Sequence, residues 1–283
     1  MKKTAAVLMT ALGLCLVYPA PQADAGFNWG RVMDDVVSVV EDDSDSRHGR
    51  HHRSGRHRDI ALDGTYYRGE GNGAYHKNHD VISVNHFTLS HPSVINLHMI
   101  AYDKGSFEFN IYDEDEYKIG DRIYVNSSRT KDAVRVLEPG RYRIDIAYSG
   151  TSRSYGEYKF KVNQTPFSAV TEYDISRPEM AYPISGGTEI INYFTDLERS
   201  TVETQYYKFG VRQTGDVRVY CAKVGGDGTA YLSILDEDER VINKFYSYNG
   251  IVDKTVNLPP GNYYVKVERG NKHGVVYQMR ISG

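Results

Sequence analysis

From residue 59 to the C-terminus, apolar and polar side chains alternate in short runs. Ile95-Asn96-Leu97-His98-Met99, Phe107-Glu108-Phe109-Asn110-Ile111 and Tyr142-Arg143-Ile144-Asp145-Ile146 each send every second residue to one face. That period of two marks strands with one buried and one wet side. Gly, Asp, Asn and Pro clusters between the runs read as turns, so the pattern predicts an all-β fold. The N-terminal region reads differently. Trp29, Val32, Met33, Val36, Val37 and Val40 recur at helical spacing and predict one amphipathic helix. Its valines lower helix propensity, so the helix needs a surface to form on. Asp34, Asp35 and Glu41 lie off the stripe, which disfavours anionic lipid and favours docking on another protein surface or on a second copy.

The β region repeats itself. Phe109-Asn110-Ile111-Tyr112-Asp113-Glu114-Asp115-Glu116 returns as Leu232-Ser233-Ile234-Leu235-Asp236-Glu237-Asp238-Glu239, and Val136 to Ile144 returns as Asn257 to Val265. Opening strands (Phe87-Thr88-Leu89 and Tyr207-Lys208-Phe209) and closing strands (Tyr158 to Val162 and Tyr277 to Ile281) follow in the same order. Two copies of one domain are expected, over 59–163 and 183–283, each an antiparallel β-sandwich of jelly-roll type with seven or eight strands. Residues 164–182 join them and supply a linker or an edge strand.

A strand, an Asp-rich hairpin, a Leu-x-Pro-Gly-x-Tyr turn and a final alternating strand, in that order, resemble the bacterial pre-peptidase C-terminal domain. Leu258-Pro259-Pro260-Gly261-Asn262-Tyr263-Tyr264-Val265 matches that pattern well, and Glu138 replaces the first turn residue in copy one. The resemblance implies small sandwich modules that accompany secreted enzymes and are themselves non-catalytic. Where that family carries an Asp-x-Asp pair, this chain has Ser106 and Glu108, or Thr229 and Tyr231; Glu116 and Glu239 stand where the hairpin usually has glycine.

Lys2 and Lys3, the apolar run from Ala5 to Tyr18 and Ala23-Asp24-Ala25 read as a signal peptide over 1–25, cleaved before Gly26. The expected location is therefore secreted or periplasmic, with no transmembrane segment in the mature chain. Residues 26–45 carry the helix, and 46–58 form a linker whose last twelve residues hold five Arg and four His with no apolar side chain. Such a segment is expected to be disordered. Arg47, Arg50, Arg53, Arg56 and Arg58 are its candidate contacts with an anionic polymer, and its histidines would strengthen that contact near pH 6. The full chain has 283 residues, 40% hydrophobic and 25% charged, with a net charge of −3. That excludes wholesale disorder or membrane embedding and gives no reason to expect nucleic acid.

Little catalytic chemistry is visible. There is no zinc-protease helix, nucleophile elbow, phosphate loop or paired-Cys metal site. Cys221 is the lone mature cysteine and reads as a buried hydrophobe. Asp113, Asp115, Asp236 and Asp238 are hairpin residues that could offer a weak calcium contact but supply too few oxygens on their own; no other cofactor is expected. Twenty-four tyrosines against nine Phe and one Trp suggest an aromatic platform for sugar or peptide, with Tyr206, Tyr207, Tyr246, Tyr248, Tyr263 and Tyr264 as candidates. The leading expectation is a secreted, non-catalytic binding or accessory protein that contacts envelope or extracellular polymers. One alternative is a hydrolase or metal-dependent enzyme with a site among His76, His79, His86, His91 and Asp80. A second is an assembly role for the N-terminal helix, with the oligomeric state left open.

Overall fold

The computed structural model describes residues 56–72, 76, 79–150, 155–169, 174–196, 203–246 and 250–283. The expected signal peptide, the helix and residues 46–55 of the linker lie outside them. The first copy contains β1 (Arg56–Asp59), β2 (Tyr67–Asn72), β3 (Val81–Leu89), β4 (Ser93–Ala101), β5 (Phe107–Tyr112), β6 (Lys118–Val125), β7 (Thr130–Leu137), β8 (Gly140–Tyr148) and β9 (Tyr155–Pro166). The second contains β10 (Tyr182–Pro183), β11 (Glu189–Phe194), β12 (Thr204–Val211), β13 (Gly215–Gly226), β14 (Ala230–Leu235), β15 (Val241–Phe245), β16 (Ile251–Leu258), β17 (Gly261–Arg269) and β18 (Val275–Ser282). A 3-10 turn over Pro178–Met180 precedes β10. No α-helix occurs among the described residues, and no helix there is long and apolar enough to cross a membrane.

The duplication is complete at the level of topology. Sheets β1-β3-β8-β5-β6 and β2-β9-β4-β7 make the first sandwich; β10-β12-β17-β14-β15 and β11-β18-β13-β16 make the second. Within each copy the two sheets share one apolar core. Phe87, Phe107, Phe109 and Ile144 meet Ile95, Met99 and Phe160 in the first; Tyr207, Leu232 and Val265 meet Val219, Tyr277 and Met279 in the second. Each such side chain contributes about 1.5–3 kcal/mol by leaving water.

Each sandwich has nine strands rather than seven or eight, because a short edge strand pairs in parallel at the equivalent place: β1 on β3 and β10 on β12. The expectation that residues 46–58 are unstructured throughout is corrected here, since Arg56 to Asp59 form β1. Main-chain pairing to an open sheet edge needs no apolar side chain. Arg58 adds a 2.7 Å hydrogen bond from its Nε to Asn85 Oδ1 and lies 4.8 Å from the Tyr67 ring centre. The joining segment 164–182 is used at both ends, with β9 running to Pro166 and β10 starting at Tyr182.

Both repeated motifs have a local physical origin. In the β5–β6 and β14–β15 hairpins, the fourth acidic residue donates its amide to the first residue's carbonyl (Glu116 to Asp113, 3.2 Å; Glu239 to Asp236, 3.1 Å) and adopts a left-handed backbone, with φ of 67° and 63°. The position keeps the conformation a glycine would supply, but with a glutamate. Glu239→Gly is expected to stabilise the second sandwich by about 1 kcal/mol, read as a Tm gain of a few degrees; an unchanged or lower Tm would contradict the strain. In the Pro-Gly motif, the Tyr142 and Tyr263 hydroxyls each donate 2.8 Å back to the carbonyl four residues earlier, Glu138 and Pro259. They tie turn to strand in the manner of a tyrosine corner.

The two sandwiches meet along β7. Asp196, just past β11, bridges to Val136: the Val136 amide donates to Asp196 Oδ2 at 2.7 Å and the Asp196 amide donates to the Val136 carbonyl at 3.0 Å. The Gly274 amide also donates to the Asp196 carboxylate. A Cβ on Gly274 would lie 2.5 Å from Asp196 Oδ2 and 2.7 Å from Val136 Cβ, and one on Gly226 would lie 2.8 Å from a Val136 methyl; glycine is what allows this approach. Phe167 packs edge-on against Tyr193 at 5.1 Å, and Lys272 pairs with Asp121 at 2.5 Å.

Candidate functional site

The most developed aromatic surface is the outer face of the sheet β10-β12-β17-β14-β15. Alternation in β12 points Tyr207 and Phe209 inward and Tyr206 and Lys208 outward; in β17 it points Tyr263, Val265 and Val267 inward and Tyr264, Lys266 and Glu268 outward. Cross-strand register then sets Tyr206 opposite Lys266, Lys208 opposite Tyr264, and Tyr231 of β14 opposite Glu268. Tyr246, immediately after β15, is 65% exposed and meets the Tyr231 ring edge-on at 5.6 Å. Lys266 donates to Glu268 at 2.9 Å, Lys244 approaches the same carboxylate at 3.6 Å, and the Lys244 ammonium lies 5.8 Å from the Tyr246 ring centre. The Lys266 hydrogen bond holds the Glu268 carboxyl below the usual carboxylate range, against a smaller opposing effect of burial. The result is a strip of tyrosine rings with an anchored ion pair between them.

A second, smaller strip lies on sandwich one. Lys159 sits 4.7 Å from the Tyr66 ring centre and 5.6 Å from that of Tyr102; Lys161 lies 4.9 Å from Tyr66. His98 meets Tyr66 edge-on at 6.2 Å and pairs with Asp132 at 2.6 Å.

The sequence-level platform is therefore partly corrected. Tyr206, Tyr246 and Tyr264 belong to the outer face. Tyr207 (0% exposed) and Tyr263 (5%) are core residues. Adjacent tyrosines on a strand face opposite ways, and the apolar neighbours Phe209 and Val265 decide which ring turns in. Tyr207 joins a buried polar chain: Asn192 donates to its hydroxyl at 2.8 Å, its hydroxyl lies 2.6 Å from that of Tyr277, and Tyr277 bonds Gln205. Tyr248 lies outside the described residues. Tyr231, Lys244, Lys266 and Glu268 were not legible as site residues, because only the strand register brings them beside Tyr206 and Tyr246.

The hairpin carboxylates serve their own turns. Asp113 Oδ1 accepts the Tyr117 amide at 2.8 Å; Asp236 Oδ1 accepts the amides of Asp238 and Arg240 at 3.0 and 2.8 Å. Asp238 also pairs with Arg240 at 3.3 Å, and Asp115 lies in the first of these turns. Among the described residues, no group of three or more His, Cys, Asp or Glu gathers to hold a metal.

The histidines of sandwich one do not all converge. His79, just before β3, contacts Glu108 at 2.9 Å, whereas His91, just after it, bonds Ser90. Nine residues of β3 separate them, roughly 30 Å at ~3.3 Å per residue. His86 stacks near His57 with ring centres 6.1 Å apart, and His76 sits 6.2 Å from Tyr148. His76, His79 and Asp80 all adjoin Tyr148, but His86 and His91 lie farther along β3, so the five residues of the expected alternative site do not form one group. Cys221 is buried, which pushes its thiol up to about 12 and leaves it a hydrophobe rather than a nucleophile. Of the five candidate arginines, Arg58 is held at β1 as described above and Arg56 lies in the same strand; Arg47, Arg50 and Arg53 are outside the described residues.

No family model and no curated protein matches the chain. Solved structures similar to it include the pre-peptidase C-terminal domain of a collagenase from Bacillus anthracis, at 18% identity over 38% of this chain and 98% of that domain, with a TM-score of 0.33. The PBSX exported protein XepA is 9% identical over 79% of this chain and 84% of its own, with a TM-score of 0.21. The CBM22-1–CBM22-2 tandem domain of Xyn10C from Paenibacillus barcinonensis is 9% identical over 75% and 81%, with a TM-score of 0.21. The β-sandwich fold rests on the sheets themselves rather than on these overlays.

Proposed function

We propose that this chain is an exported, non-catalytic module that binds an envelope or extracellular polymer through the tyrosine-bearing outer face of sandwich two. The observation that carries this reading is the exposed Tyr246 ring braced edge-on by Tyr231 beside the Lys244–Glu268–Lys266 ion pairs. Exposed tyrosines offer large contact area at low entropy cost, and a fixed ion pair supplies hydrogen bonds to hydroxyl-rich or peptide ligands. The resemblance of both repeats to pre-peptidase C-terminal modules supports the same reading, as does the signal-like N-terminus. The Arg/His segment adds a salt-sensitive contact with anionic polymer.

Retention on purified cell-wall polysaccharide tests this reading. The Tyr231→Ala/Tyr246→Ala variant is expected to lose roughly tenfold or more in affinity, at about 1 kcal/mol per ring, with Tm unchanged. Deleting residues 47–55, which leaves β1 in place, is expected to weaken retention at low salt and to have little effect at high salt. Undiminished retention by the double tyrosine variant would remove the platform from the account.

A further inference from the structure

Sandwich two holds an open cavity of about 400 Å³ between its sheets, with walls that include Cys221, Ala230, Leu232, Val252 and Tyr277 and with Lys223 on its lining. Protein interiors are normally packed to crystal density, so a space of this size in a small sandwich needs a cause. Matching the strand registers of the two copies supplies one. Cys221 pairs with Met279 as Met99 pairs with Phe160; Ala230 pairs with Arg269 as Phe107 pairs with Tyr148; Leu232 pairs with Val267 as Phe109 pairs with Ile146. Where sandwich one fills its core with Met99, Phe107 and Phe109, sandwich two places Cys221, Ala230 and Leu232. One compensating change is present nearby: Phe194 occupies the place of Gly71. The cavity remains in spite of it.

Lys223 gives the cavity its polarity. Alternation along β13 buries Val217, Val219 and Cys221 and then breaks, with Ala222 buried and Lys223 exposed, so Lys223 lines the open mouth of the cavity beside Gly250. Its counterpart, paired with Tyr158 as Lys223 is with Tyr277, is the buried Ala101. The β13–β18 register breaks immediately afterwards, between Lys223 and Gly225, and such a bulge re-aims the side chain beside it. No Asp or Glu is among the described residues that line the cavity. We infer that this pocket binds a small monocarboxylate with an apolar tail, the tail between the sheets and the carboxylate on the Lys223 ammonium. Its volume falls at the lower end of the ~300–1,000 Å³ range of ligand pockets, which suits a short acyl chain rather than a long lipid tail.

Titration of the full chain with sodium octanoate and with 1-octanol, followed by calorimetry and by backbone amide resonances, tests the assignment. Octanoate is expected to shift the resonances of Val252 and Val275 and to bind at least fivefold more tightly than octanol. Lys223→Gln is expected to erase that preference while leaving octanol binding intact. Ala230→Phe, which restores the sandwich-one residue, is expected to abolish binding of both without lowering Tm; Cys221→Met serves the same purpose should the larger ring prevent folding. Octanoate binding that Lys223→Gln leaves unchanged would overturn the role of the lysine. A filled variant that gains stability from a parent that binds neither probe would show the cavity to be a packing void and overturn the proposal.

Discussion

Asp196→Ala is expected to destabilise the protein by about 2–4 kcal/mol and to uncouple its two sandwiches. The substitution strips the acceptor from the Val136 and Gly274 amides, and a buried donor left without a partner costs ~1–3 kcal/mol. Calorimetry should then resolve two melting transitions where the parent shows one. A single transition at the parent temperature would show that the sandwiches do not depend on this bridge. The pH dependence has a defined sign. Burial pushes the Asp196 carboxyl up, and the Val136 and Gly274 amides together with Arg135 and His273 only partly offset this. The folded protein therefore binds that proton more tightly than the unfolded chain does. The contribution of Asp196 is fullest below the unfolded value and is eroded as pH rises through the folded one. Asp196→Asn, which keeps an acceptor and cannot ionise, should gain on the parent as pH rises above the ordinary carboxylate range.

Phe107→Ala is expected to cost about 3–5 kcal/mol, the usual toll for emptying a fully buried aromatic site, and to lower the melting temperature by roughly 10 °C. Phe107 has no exposed surface and packs edge-on against Tyr158, with ring centres 4.9 Å apart; a Cβ on Gly71 or Gly105 would press within 3.0 Å of its ring. Alanine is native at the equivalent position, Ala230, so the same residue type is tolerated in one copy and disruptive in the other. A loss below 1 kcal/mol, measured by denaturant unfolding, would mean that sandwich one can collapse around the gap.

The architecture was legible because alternation and repetition are written directly in the side chains. Runs such as Ile95 to Met99 fix which face is buried, and the recurring Asp-rich and Pro-Gly segments show that the pattern occurs twice. The edge strand at Arg56 to Asp59 was not legible, since main-chain pairing leaves no hydrophobic trace. The orientation of Tyr207 and Tyr263 was legible in principle from Phe209 and Val265, and grouping them by residue type alone obscured it. The Tyr231–Tyr246 contact, the Asp196 bridge and the hollow beside Ala230 depend on which residues stand opposite one another across strands. The offset between copies drifts along the chain, so that alignment emerges only with the hydrogen-bond register.

The bridge between Asp196 and Val136 has one more consequence. Because it ties β7 to the end of β11, the Tyr66–Lys159 strip and the Tyr231–Tyr246 strip are carried at a set spacing instead of on a slack tether. A polymer chain that engages one strip meets the other at a high effective concentration only when its own span matches that spacing. Under the proposed function, repeat length in a bound strand would then be selected by avidity without any additional contact.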